Sequence, residues 1–262
     1  MANIVVSEER ILQLEDIRIR LRDVLRSYNI VVSDNATIDE ITAIYENRLG
    51  IDADVNYLKT GERRKIDDDS ITSITRTVPS CVNRIKCINA TTVTGSQGII
   101  GSAISHFMFP NVIDIGTLVF SNFSGVNAIL PKATTTSSLQ PFANCPNLQR
   151  LITPKLRGFT YHYQLPALSI IDTYNGVPNS QPVSSLVKII IRSDTLVSLS
   201  ASARIPNIEK IYVPTSLLNS YKTATNWSVY ADKIFALEGS DYEDEDWYES
   251  TQWYQEEMAV WQ

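Results

Sequence analysis

One short pattern returns seven times between Cys81 and Pro214, and a chain that carries it can fold in few ways. Val82, Ile104, Val126, Leu148, Leu168, Leu186 and Ile208 anchor the copies at intervals of 22, 22, 22, 20, 18 and 22 residues. Three residues after each anchor stands a second large apolar residue: Ile85, Phe107, Ile129, Leu151, Ile171, Ile189 and Ile211. Two residues before each anchor is a Ser or Pro, and the residue between is small or Asn. A repeat of this length cannot bury an apolar edge alone and does so against its neighbours, which predicts a solenoid. Each copy reads as a turn leading into a short extended segment, apolar residues inward and interposed polar residues outward. Pro110, Pro131, Pro154 and Pro214 end the segments, because proline has no N–H to give to a sheet. Stacked at strand spacing, the coils make a rod roughly 30 to 35 Å long.

The stretches IGTLVFSNFSGVNAILPKA, from Ile115, and LQPFANCPNLQRLITPKL, from Leu139, resemble the BspA-like class of leucine-rich repeats. Phe120 and Phe142 then take the family's aromatic position, and the segment from Ile211 to Leu237 is similar to the end segment that closes such arrays. The resemblance covers residues 79–239 and implies a leucine-rich-repeat-like solenoid. It also implies a binding or spacing role, since the family occurs in bacterial surface proteins and in phage virion proteins.

Ahead of the array, residues 7–28 predict a helix with Ser7 as N-cap. Leu14, Ile17, Leu21, Val24 and Tyr28 follow a 3-4-3-4 spacing, an oligomerisation seam, while Arg18, Arg20, Arg22 and Arg26 alternate with acids and read as a solvated face. A second helix, Ile38 to Leu49, opens on a Thr37–Glu40 capping box. The expected class is mainly β: a solenoid with an α-helical N-terminal module and a helical C-terminal cap and tail. Its divisions are a helical attachment module (1–51), a linker with a solvated Asp67–Asp68–Asp69 run (52–78), the solenoid (79–214), a cap (215–239) and an acidic aromatic tail (240–262).

Charge is unevenly placed along the chain. Residues 79–214 hold ten Lys or Arg against four acids, whereas residues 240–262 hold eight acids and no Lys or Arg. A basic rod and an acidic arm attract, within one subunit or between two. In the tail, Trp247, Thr251, Tyr254, Met258 and Trp261 fall at 4-3-4-3 spacing, so an amphipathic helix with an aromatic edge is expected there. Aromatic anchors rimmed by charge suit an interface, which makes Trp247, Tyr254, Met258 and Trp261 the docking residues. Phe159, Tyr161 and Tyr163 form a second, surface contact patch in GFTYHY.

Little in the sequence points to catalysis. The array's carboxylates, Asp114, Asp172, Asp194 and Glu209, stand at different phases of the repeat, so no neighbouring pair suits glycoside hydrolysis. His106 and His162 lie in different coils, and Cys81, Cys87 and Cys145 lack zinc spacing, so neither metal nor cofactor is expected. Cys81 and Cys145 read as repeat packing. No leader, nucleic-acid patch or apolar run of membrane-spanning length is expected. The resulting expectation is a non-enzymatic phage virion protein, a tail or head fibre or decoration, made in the host cytoplasm. It would form a homo-oligomer, contact other virion proteins and meet a host-surface glycan or protein. A bacterial BspA-like adhesin and a carbohydrate-active enzyme are the alternatives.

Overall fold

The structure, a computed structural model, describes residues 8–27, 32–41, 64–75, 77–78, 82–95, 98–136, 141–157, 165–177 and 183–262. The chain divides into two units, Met1–Arg63 and Arg64–Gln262.

In the first unit, helix α1 spans Glu8–Ser27. Arg18, Arg22 and Arg26, four residues apart, lie along one side of it and hold the following loop by its carbonyls. Arg18 donates to Asp34 O and Ala36 O at 2.9 Å each, and Arg26 to Val32 O at 2.6 Å. Arg22 and Arg26 also meet the Asp34 carboxylate at 3.4 and 2.8 Å. The arginine face is therefore a clamp and not the solvated face expected, because the loop carbonyls need donors once Val32 and Ala36 are buried. Arg20 points elsewhere and pairs with Asp16 in the open. The Thr37–Glu40 capping box forms as read, Glu40 N–H donating to Thr37 Oγ1 at 3.2 Å and Thr37 N–H to Glu40 Oε2 at 2.7 Å. Residues 38–41 are helical, and the rest of the second helix lies outside the described residues.

The second unit is a β-solenoid of about seven turns. Its main wall is a run of parallel strands: β1 (Arg64–Asp67), β3 (Val82–Lys86) and β5 (His106–Met108) form one sheet. A second sheet in the same wall holds β7 (Asn127–Ile129), β9 (Arg150–Thr153), β10 (Ile170–Thr173), β11 (Lys188–Ile191), β12 (Lys210–Val213) and β13 (Ile234–Ala236). Another wall in the N-terminal coils is a four-stranded parallel sheet of β2 (Ser73–Ile74), β4 (Thr92–Val93), β6 (Asp114–Ile115) and β8 (Thr135–Thr136).

In the later coils a β-turn places the anchor. Leu148 N–H bonds Cys145 O, Leu168 N–H bonds Leu165 O, Leu186 N–H bonds Val183 O and Ile208 N–H bonds Ile205 O. Pro146, Pro166 and Pro206 stand second in their turns, where the fixed φ of proline fits. Pro110, Pro131 and Pro154 do more than stop a strand. They stand second in another turn, closed by Val112 N–H on Phe109 O, Ala133 N–H on Leu130 O and Leu156 N–H on Thr153 O.

Inside, Leu148, Leu151, Leu168, Ile171, Leu186 and Ile189 are fully buried in register, and each side chain of this kind contributes roughly 1.5–3 kcal/mol. Phe120 and Phe142, one coil apart, stack at 4.7 Å and 10°. Asn122 and Asn144 repeat 22 residues apart with φ of 63° and 54°, a left-handed corner that asparagine tolerates.

Two expectations need correction. In the third copy the inward residues are Gly125 and Ala128, not Val126 and Ile129: Ala128 pairs with Leu151, and Val126 is 37% exposed. Phe123 has taken over the space, so a Cβ on Gly125 would meet the Phe123 ring and Ser105 O, each at 2.2 Å. The phase therefore slips by one residue where a ring replaces the anchor's own side chain. The stretch 52–78 is also not a linker throughout, since β1 and β2 add strands to both sheets ahead of the first anchor. Within it Asp67 pairs with Lys65 and Lys86 at 2.9 and 3.1 Å, and those bonds, Lys65 first, hold its carboxyl below the usual range. Asp69 accepts from Ile88 N–H at 3.3 Å, tying the acidic run to the next coil.

At the other end, helix α2 (Leu218–Thr223) and two 3₁₀ turns cap the array around Tyr221 and Trp227, both fully buried.

Candidate functional site

The outward side chains of the main wall form two columns. Two residues after each inner position come Arg84, His106, Asn127, Arg150, Ile170, Lys188 and Lys210, a mostly basic line. Four after come Lys86, Met108, Ile129, Ile152, Asp172, Ile190 and Tyr212, a mostly apolar line. Parallel sheets are normally covered on both faces. Here the cover is the C-terminal segment 240–262, which runs from the last coils back to the first. Ile152 and Ile190, although outward, are fully buried.

At the start of the segment Arg192 is the latch. Its guanidinium makes a two-pronged bond to the fully buried Asp172 carboxylate, at 2.8 and 2.9 Å. The same group donates to three tail carbonyls, Tyr242 and Glu243 at 2.8 Å and Asp244 at 2.9 Å. Trp247 Nε1 donates to Asp172 Oδ2 as well, at 2.7 Å. Burial pushes the Asp172 carboxyl up, against the pull of Arg192 and Trp247. Lys188 donates to the Tyr242 hydroxyl, and Tyr242 packs with Tyr212 and Trp247 over Ile190.

Further along, the Arg150 guanidinium lies 4.8 Å from the Trp253 ring centre, a cation–π contact, and burial lowers its pKa. Helix α3 (Gln252–Ala259) carries Glu257. Its carboxylate spans the break in the wall's ladder between β5 and β7, meeting His106 Nδ1 on β5 at 2.7 Å and Asn127 Nδ2 on β7 at 2.8 Å. Glu257 thus staples the two sheets. The segment ends with Arg84 donating to Val260 O at 3.2 Å and Lys65 to Trp261 O at 2.9 Å. Beside the staple lies a cavity of about 220 Å³ between Met108, Pro110 and Ile129 of the wall and Tyr254, Met258 and Trp261 of the tail.

All four docking residues read from the sequence, Trp247, Tyr254, Met258 and Trp261, lie in this segment against their own chain. They do not share one helix: Trp247–Ser250 is a 3₁₀ turn, and Thr251 breaks it and caps α3. The seam residues are placed less completely. Ile17 is 48% exposed and Leu21 half-buried on α1, the side chains of Leu14 and Val24 lie outside the described residues, and so does Tyr28 altogether. Phe159, Tyr161 and Tyr163 also lie outside the described residues. Sequence reasoning missed Arg192, Asp172, Arg150, His106, Asn127 and Trp253. The outward basic column was the available signal, and correcting the third copy's phase adds Asn127 to it.

Among the described residues no group of three or more His, Cys, Asp or Glu side chains is placed to hold a metal ion. Cys87 and Cys145 are buried, and burial pushes both thiols up to about 12. Among the described residues no helix is long and apolar enough to cross a membrane. No protein-family model matches the chain, and no curated protein matches its sequence significantly. The fold and the covered wall define a parallel β-solenoid that carries its own lid segment.

Proposed function

We propose that the chain is a non-enzymatic structural protein of a phage particle, a tail or head fibre or a decoration, built on a BspA-like leucine-rich-repeat solenoid. The observation that carries this reading is the covered wall. The broad basic and apolar face of the sheet is engaged by an acidic aromatic segment through backbone carbonyls, ring contacts and ion pairs, which is the chemistry of assembly. Two of the array's four acids serve structure: Asp172 is locked by Arg192, and Asp194 accepts from the Tyr174 hydroxyl at 2.6 Å. The half-exposed Ile17 on α1 fits an N-terminal module completed by further copies of itself.

Quantitative mass spectrometry of purified particles tests the reading. The chain is expected at fixed stoichiometry with other structural proteins, and its absence from particles would contradict the proposal. Solution mass of full-length protein and of protein lacking residues 1–60 tests the seam. A discrete oligomer that falls to monomer is expected; two monomers would rule out self-assembly through α1.

A further inference from the structure

We infer that the wall of the solenoid is an interface between copies, with the 240–262 segment of one chain seated on the wall of another. This rests on the reading of the chain as an assembling structural protein and names one contact of that assembly. Three observations carry it. First, the fit is electrostatic as well as apolar: a segment with eight acids and no Lys or Arg covers an array with ten Lys or Arg against four acids. Lys155–Glu245, His106–Glu257 and Lys188–Tyr242 are among its polar contacts along the wall.

Second, the segment hangs from a single joint. Glu238 is fixed to the cap by Thr215, whose N–H and hydroxyl donate to Glu238 Oε2 at 2.7 and 2.6 Å. Gly239 follows with φ of 79° and open space around its Cα, and beyond it the segment's anchors are on the wall. Rotation at Gly239 breaks the bonds from the Ser240 N–H and hydroxyl to Leu237 O, at 3.1 and 2.6 Å, and the Gly239 N–H bond to Glu243 Oε2 at 2.8 Å, and redirects the whole segment while the ladder of the coils stays intact.

Third, every contact that seats the segment is equally available from a second chain, because Arg192, Arg150, Arg84 and Lys65 all recognise it through groups that do not depend on the joint. Exchange of an identical element costs only the joint, and a linked array of copies supplies the high local concentration that favours it. Reciprocal exchange gives a closed pair, and head-to-tail exchange gives a filament.

Full-length variants that each add one cysteine to the native Cys81, Cys87 and Cys145, the same background in test and control mixes, decide the matter. Lys155 and Glu245 form an ion pair at 2.7 Å and are each about half exposed, and the latch does not use them. Lys155→Cys protein is mixed with Glu245→Cys protein and treated with a short bis-maleimide. A covalent heterodimer is expected at least about tenfold faster than in a control mix of Lys155→Cys with Val229→Cys, whose site is 73% exposed on the cap. A heterodimer no faster than the control overturns the inference, whether or not the Lys155→Cys/Glu245→Cys double variant closes within one chain. That result leaves the structural-protein reading standing, since detection in particles decides it separately.

Discussion

On its inner face the long parallel sheet is closed by residues that recur coil by coil, Leu151, Ile171, Ile189 and Ile211. On its outer face Ile152, Asp172, Ile190 and Tyr212 are closed by a segment that occurs once. The inner contacts are interchangeable aliphatics, each supported by the coil above and below. The outer contacts are particular: one guanidinium holds three carbonyls, one carboxylate bridges a gap in the ladder, one ring lies under one cation. A repeat therefore builds the wall, and unique chemistry decides what lies on it.

Breaking the outer face at its latch gives the largest expected effect. Arg192→Ala leaves Asp172 buried without its partner, which costs about 3–5 kcal/mol in urea unfolding. With the guanidinium gone, burial is opposed only by the Trp247 hydrogen bond, so the folded pKa of Asp172 stands still further above the unfolded one. The variant's stability is then greatest below the unfolded pKa and falls as pH rises through the folded value. Parent and variant unfolding curves at several pH values check the sign.

Leu151→Ala attacks the inner face one coil before Asp172 and costs about 2–5 kcal/mol. The comparison is sharpened by tryptophan emission of the two native variants: Arg192→Ala shifts it toward that of exposed indole, whereas Leu151→Ala leaves it unchanged. Equal shifts would mean that the two faces are not separable. Gly125→Ala tests the slipped third copy, where the new methyl meets Phe123 and Ser105 O; overpacking there costs about 1–3 kcal/mol, read as a lower unfolding midpoint.

The smallest effect is at the joint. Thr215, through its hydroxyl first and its N–H as well, holds the Glu238 carboxyl below its ordinary value of 4.5. Its stabilising contribution is present above the unfolded pKa and is lost as pH falls through the lowered folded value. Glu238→Gln removes that acid-dependent step, visible as a flatter stability profile at low pH.

How much of this was legible in the sequence follows from the same contrast. Leu148, Leu168, Leu186 and their partners three residues on announced themselves by period, and Phe120 and Phe142 by resemblance. Val126 misled because Phe123, outside the pattern, fills the space that Gly125 leaves. β1 and β2 were missed because their charged surroundings hid Ile66 and Ile74. The tail's aromatics stood out, but their seat did not: Asp172 looked like a lone acid, and its partner lies one coil later. A contact made once leaves no period to read.

Quenching of tryptophan fluorescence by acrylamide, in dilute full-length protein, tests the covered wall most directly. Three of the four tryptophans, Trp247, Trp253 and Trp261, lie in the tail, and Trp227 is buried in the cap. With Trp227 and Trp261 buried and Trp247 and Trp253 half-buried, the account predicts quenching well below that of free indole and emission to the blue of it. Strong quenching of about three quarters of the signal, as for free indole, would contradict a tail seated on the sheet.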